Sequence, residues 1–88
     1  LAADGEVGAV DAQVAQVGAR ADRVLERLRD VEGDAVVFAH GHILRVLSVR
    51  WLEMEPAAGA RLKLEAGGLG VLGFERETQA LSLWNWTP

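Results

Sequence analysis

Five apolar residues in a row, Ala35-Val36-Val37-Phe38-Ala39, run into His40-Gly41-His42, and a helical pattern begins at once. That junction constrains the fold more than any other feature of the sequence. A strand with one wet face alternates apolar and polar residues. A short continuous apolar run instead fits a central parallel strand covered by helices on both faces. The helix that follows reads over 42–53, from Ile43, Leu44, Val46, Leu47, Trp51 and Leu52, with Pro56 and Gly59 beyond its end. Strand, tight glycine turn and helix make half of a βαβ unit, and such a unit needs a second, parallel strand beside the first.

The segment before the junction supplies a crossover helix but no such strand. Val14, Val17, Ala21, Val24, Leu25, Leu28 and Val31 recur at helical spacing. Arg20, Asp22, Arg23, Glu26, Arg27, Arg29 and Asp30 mix both signs on the other face, which reads as solvated. Gly33 is expected to stop this helix. Residues 1–12 are small, acidic and rich in Gly and Ala, and are expected to form a loop or frayed lead-in. The parallel neighbour of 35–39 is therefore expected from sequence outside these residues or from another chain. Together with Leu1 in place of an initiator Met, this leads us to expect a segment of a longer protein.

The rest is β-like. Leu62 and Leu64 alternate with Arg61, Lys63 and Glu65, which predicts a strand at about 61–65 with one polar face. Gly67-Gly68 breaks it. Leu69–Glu75 and Ala80–Trp86 flank Arg76-Glu77-Thr78-Gln79, the pattern of an antiparallel hairpin with a four-residue loop, and period two puts Trp84 and Trp86 on one face. The class is α/β, with an antiparallel edge added to a parallel centre.

Composition narrows the function. A net charge of −4 argues against a binder of nucleic-acid backbone, which needs a basic face. With no cysteine there is no disulfide framework, thiolate metal site or cysteine nucleophile. No apolar run approaches the roughly 18 residues of a membrane span and no signal-peptide pattern opens the chain, so a cytoplasmic location is expected. No dinucleotide fingerprint or P-loop is present, and no organic cofactor is expected; Gly67-Gly68-Leu69-Gly70 lies in β-like sequence without a lysine.

Functional residue types concentrate at Ala39-His40-Gly41-His42. Ligands of open α/β sheets bind at the carboxyl ends of strands, and a helix starting there offers unpaired N–H groups and a positive dipole end to an anion. Gly41 allows close backbone approach. A histidine there can meet a phosphate as imidazolium or exchange a proton. The plainer reading makes His40 a turn residue and His42 a neighbour of the helix cap. A metal site on the His40/His42 pair lacks a third ligand nearby in sequence, and none is expected.

From "ARADRV" through "VVFAHGH", "ILRVLSVRWL" and "VLGFE" to the "WN" near the end, residues 16–85 resemble the C-terminal half of the histidine phosphatase superfamily. The resemblance is to its phosphoglycerate mutase-like branch, especially the acid-phosphatase-like members. It implies a three-layer α/β sandwich, with residues 13–88 as the C-terminal portion of a single phosphoglycerate mutase-like domain. His40 matches the family's second catalytic histidine, which donates a charge-assisted hydrogen bond to the transferring phosphoryl group. Gly41 matches the glycine that admits the phosphate, and His42, from an "HGH" variant, is expected to line the pocket. The ligand implied is a phosphorylated small molecule or inorganic phosphate. Arg45 is expected to be a structural ion-pair partner, the alternative being that it reaches toward the site.

Two family features have no counterpart. The Arg-His-Gly motif that carries the phosphorylated nucleophile is absent, and so are its phosphate-clamping arginines. The acid/base carboxylate of the family sits in a Gly-Glu-Ser/Thr turn; Gly5-Glu6-Val7 is the nearest match, with Asp11 closer to the expected spacing. Glu6 is the candidate proton donor, and an exposed loop carboxylate is the alternative. Without a nucleophile, these 88 residues are not expected to turn over a phosphoester by themselves. The alternative function is a truncated, non-catalytic binding or assembly module, working as a homodimer through its unpaired sheet edge.

Overall fold

A computed structural model describes residues 4–88, with side chains from residue 13 onward. The elements in chain order are helix α1 (Asp4–Arg29), helix α2 (Gly41–Trp51), a 3₁₀ segment (Pro56–Arg61), strand β1 (Leu69–Glu75) and strand β2 (Thr78–Trp86). Among the described residues no helix is long and apolar enough to cross a membrane.

The apolar stripe of α1 does what its spacing predicts. Ala21 and Leu25 are buried against Val46 and Leu47 of α2, and Val17, Val24, Leu28, Ile43, Trp51 and Leu72 pack around this centre. Val31, at the end of the stripe, is 46% exposed because the helix has already ended. It ends at Arg29 through i→i−3 bonds, Asp30 N–H to Arg27 O at 3.2 Å and Val31 N–H to Leu28 O at 3.1 Å. Gly33, with φ of 80°, lies in the following bend and is not the residue that stops the helix. At its other end α1 starts at Asp4, so the backbone is helical where a loop or frayed lead-in at 1–12 was expected. Helix propagation adds one hydrogen bond per residue once a nucleus exists, and the strong pattern beyond Gln13 supplies the nucleus. Residues 1–3 lie outside the described residues.

The expected central strand at 35–39 forms no ladder. The chain here is irregular and exposed, and none of the N–H or C=O groups of 34–39 has a partner among the described residues. Val36 is 74% exposed and Phe38 91%. A parallel strand exists only beside a neighbour, and the two strands present are already paired with each other. The described architecture is thus two packed helices with a two-stranded antiparallel hairpin, α/β in content.

A second expected strand, 61–65, is also absent. The 3₁₀ segment runs to Arg61 and the chain beyond it is irregular. Its alternation is nonetheless real, with Leu62 and Leu64 half-buried between exposed Arg61, Lys63 and Glu65. Period two set the burial, and no strand lies alongside to accept the backbone bonds.

The hairpin forms with a tighter turn than expected. Glu75 pairs with Thr78, leaving only Arg76 and Glu77 in the loop, and Arg76 alone of these has positive φ, 58°. Strand β2 has nine residues against seven in β1, and the surplus is taken up by two register shifts near Leu69, Val71 and Leu72. Asn85, with φ of 54°, interrupts the alternation between Trp84 and Trp86. Trp84 is half-buried over Gly70 and its Nε1–H donates to Lys63 O at 2.7 Å, whereas Trp86 is 50% exposed.

Trp51 ties the hairpin to α2. Its Nε1–H is shared between Gly73 O at 3.0 Å and Ala80 O at 3.1 Å, two residues that face each other across the strands. Its ring meets Phe74 edge-on, centroids 5.3 Å apart, and its carbonyl accepts from Gln79 Nε2.

Candidate functional site

The residues singled out at the strand–helix junction sit together at the start of α2. His40 is the N-cap, in extended conformation (φ −67°, ψ 150°), and its carbonyl accepts the first intrahelical bond, from Leu44 N–H at 3.1 Å. Its side chain makes no capping hydrogen bond, so the ring is exposed and uncommitted. The first-turn N–H groups of Gly41, His42 and Ile43 have no partner among the described residues and no acidic side chain lies in that turn. Unsatisfied donors and the positive end of the helix dipole together favour an anion.

Gly41 is not required by the fold. A Cβ placed on it would meet only Leu64 Cδ2 at 3.9 Å, an ordinary contact, and its backbone is helical. The absence of a side chain instead leaves the N–H face of the turn open to a ligand. His42 stands exposed one residue further on, without a hydrogen-bond partner among the described residues.

Beside this helix end is an open cleft of about 540 Å³. Val36 to Ala39 form one wall and Leu64 to Leu69 the other, with Gly41 and Leu44 between them. The second wall is shaped by a turn in which Gly68 N–H donates to Glu65 O at 2.9 Å, and by Asn85 Oδ1, which accepts from Glu65 N–H at 2.8 Å. The lining side chains are apolar apart from Glu65, which pairs with Lys63 at 3.3 Å, and backbone groups supply the rest of the polar surface. Such a cleft suits a packed chain segment, while the polar helix end on its rim suits an anion.

Other expected residues are not brought here. Glu6 and Asp11 fall in the helical backbone of α1, not in a loop turn, and their side chains lie outside the described residues. Arg45, expected to form a structural ion pair, is half-buried and makes none among the described residues. That role belongs to Arg50, which no sequence motif singles out. Its Nε donates to Asp22 Oδ1 at 2.8 Å, its Nη2 to Asp22 Oδ2 at 3.2 Å, and its Nη1 to Met54 O at 3.0 Å. The hydrogen bond to Asp22 raises the Arg50 pKa above its ordinary value, against the opposing effect of burial. The signal lay in Asp22 itself, one residue from buried Ala21 and thus at the border of the apolar stripe, where a polar side chain reaches the neighbouring helix.

The family model of the histidine phosphatase superfamily (branch 1) matches residues 4–87. An acid phosphatase of Mycobacterium tuberculosis (strain ATCC 25618 / H37Rv) is 33% identical over 76 residues, which make up 84% of this chain and 37% of that protein. A solved structure of an open reading frame product from Mycobacterium tuberculosis aligns with a TM-score of 0.76 at 32% identity, over 83% of this chain and 39% of that one. The chain therefore spans about two fifths of the length of these relatives. With nearly its whole length matched by the family model, and its fold and sequence both shared with these proteins, the chain belongs to the histidine phosphatase superfamily.

Proposed function

We propose that the chain carries the phosphoryl-binding half of a phosphomonoesterase site, with His40 as the group that stabilises the transferring phosphoryl. The observation that carries this reading is the uncommitted His40 ring at the free N-terminus of α2, where Gly41 leaves the backbone donors open. The His40 ring and the N–H groups of 41–43 would together donate to the three equatorial oxygens. His42 lines the same rim.

The nucleophile of the reaction comes from an Arg-His-Gly segment outside these residues. Its histidine forms the N–P bond as the ester P–O bond breaks, a carboxylic acid protonates the leaving alkoxide, and water then cleaves the phosphohistidine. In the complete sandwich, residues 35–39 become a parallel central strand once a neighbour is supplied. Glu6 is retained as the candidate proton donor. The acid phosphatase relative supports a phosphomonoester or inorganic phosphate as ligand, and these 88 residues alone lack turnover.

The test is an assay with p-nitrophenyl phosphate on two proteins, this chain and the chain extended by whatever coding sequence lies upstream of Leu1. The reading expects no turnover by the chain alone. It expects an Arg-His-Gly motif upstream, and His40-dependent hydrolysis by the extended protein. Hydrolysis that survives His40→Ala, or an upstream sequence without the motif, contradicts it. The second reading, a non-catalytic assembly module, is favoured by one observation: the exposed Phe38 on an unpaired backbone segment.

A further inference from the structure

Near its end, β2 carries one residue more than β1 can match. Leu69 pairs with Trp86 and Val71 with Leu83, so Trp84 and Asn85 together stand opposite Gly70 alone. That is a β-bulge, a device that breaks the alternation and re-aims the side chains at it. Asn85 lies in the left-handed region, with φ of 54°, which asparagine adopts more readily than most residues. Gly70 makes room for the other bulge residue, since a Cβ there would come within 2.8 Å of the Trp84 ring.

Both bulge side chains take hold of one segment, the irregular stretch 63–68. Trp84 Nε1–H donates to Lys63 O at 2.7 Å, and Asn85 Oδ1 accepts from Glu65 N–H at 2.8 Å. The two bonds bracket Leu64, which is half-buried. Its Cδ2 lies 3.9 Å from the place a Cβ would take on Gly41, and its Cδ1 lies 3.0 Å from that place on Gly68. A Cβ on Gly68 would also meet Asn85 Oδ1 at 2.6 Å, so the close approach of the bulge needs that glycine. The bulge thus sets the segment, the segment sets Leu64, and Leu64 abuts the first residue of α2. That helix start has no side-chain cap of its own to brace it. We propose that Asn85 is a positioning residue for the phosphoryl-binding end, acting through Glu65 and Leu64 to fix the N–H groups of 41–43 where they meet phosphate oxygens. This role rests on the phosphoryl-binding reading of His40 and the start of α2.

The experiment titrates the ¹⁵N-labelled chain with inorganic phosphate, for the parent, Asn85→Gly, Leu64→Ala, the Asn85→Gly/Leu64→Ala double variant and His40→Ala. Asn85→Gly keeps the left-handed backbone free of strain and removes the acceptor. It should weaken phosphate binding by about three- to tenfold, the span open to the loss of one hydrogen bond. Before phosphate is added, it should shift the amides of Leu64 and Gly41 and leave those of α1 in place. A general loss of stability would not give that signature. Leu64→Ala should weaken binding comparably and the double variant no further, because both residues act through one contact. Binding that needs His40 but is unchanged in Asn85→Gly overturns the positioning role alone. Losses that add in the double variant also overturn it, since Asn85 would then not act through Leu64. Should Asn85→Gly fail to fold, unchanged affinity in Leu64→Ala is equally decisive against it. Binding indifferent to His40, or no binding by the parent, overturns both the positioning role and the reading beneath it.

Discussion

At the scale of single residues, three side chains carry claims that can be measured. In an extended, active protein, His40→Ala should lower kcat by about 10²- to 10³-fold, the usual effect of removing one charge-stabilising donor. A change confined to KM would contradict a transition-state role. Trp51→Phe retains an aromatic ring beside Phe74 but leaves Gly73 O and Ala80 O without their shared donor. Chemical denaturation should show a loss of about 1–2 kcal/mol. Arg76 occupies a left-handed position that glycine adopts without penalty. Arg76→Gly should therefore raise stability by up to about 1 kcal/mol, and a loss would mean that the Arg76 side chain has a role its exposed position does not suggest. Of these residues the sequence marked only His40, because a histidine before a glycine at a strand–helix junction is visible as a pattern. The Trp51 link joins residues 22 and 29 positions apart, and only the fold brings them together.

At the scale of elements, what was legible followed from periodicity, and what was not followed from pairing. The stripe from Val17 to Leu28 announced α1 and its buried face, and Ile43 to Trp51 announced α2. The hairpin strands were legible too, though Arg76 in a left-handed turn position is a poor turn signal and hid the tightness of the loop. The alternation at 61–65 is reflected in burial, with Leu62 and Leu64 half-buried, whereas the apolar run at 35–39 is exposed throughout; a ladder needs a partner that an isolated pattern cannot supply. The packing of the helices makes its own prediction. Gly59 is buried where the 3₁₀ segment crosses α2, and a Cβ there would approach Val46 Cγ2 and Val46 N to 3.2 Å. Gly59→Ala should destabilise the chain by about 1–3 kcal/mol, read as an earlier denaturation midpoint. Asp22→Asn weakens the α1–α2 ion pair, whose partners remain 45% and 31% exposed, so its effect should stay near or below about 1 kcal/mol.

At the scale of the whole molecule, the apolar run at 35–39 stands apart from the packed helices and the hairpin. Here Val36 and Phe38 face solvent beside an apolar cleft, and no backbone ladder holds them. The polar end of the same segment opens α2, which is held against α1 by Ala21, Leu25 and the Asp22–Arg50 pair. The helix end proposed to hold a phosphoryl group is thus formed among the described residues without a strand ladder at 35–39. The most direct measurement is a titration of the ¹⁵N-labelled chain with inorganic phosphate, followed through its amide resonances. The account predicts saturable shifts concentrated at Gly41, His42 and Ile43, lost in His40→Ala while the α1 resonances stay in place. Shifts scattered over the arginines of α1, or an α2 N-terminus that does not respond, would contradict it.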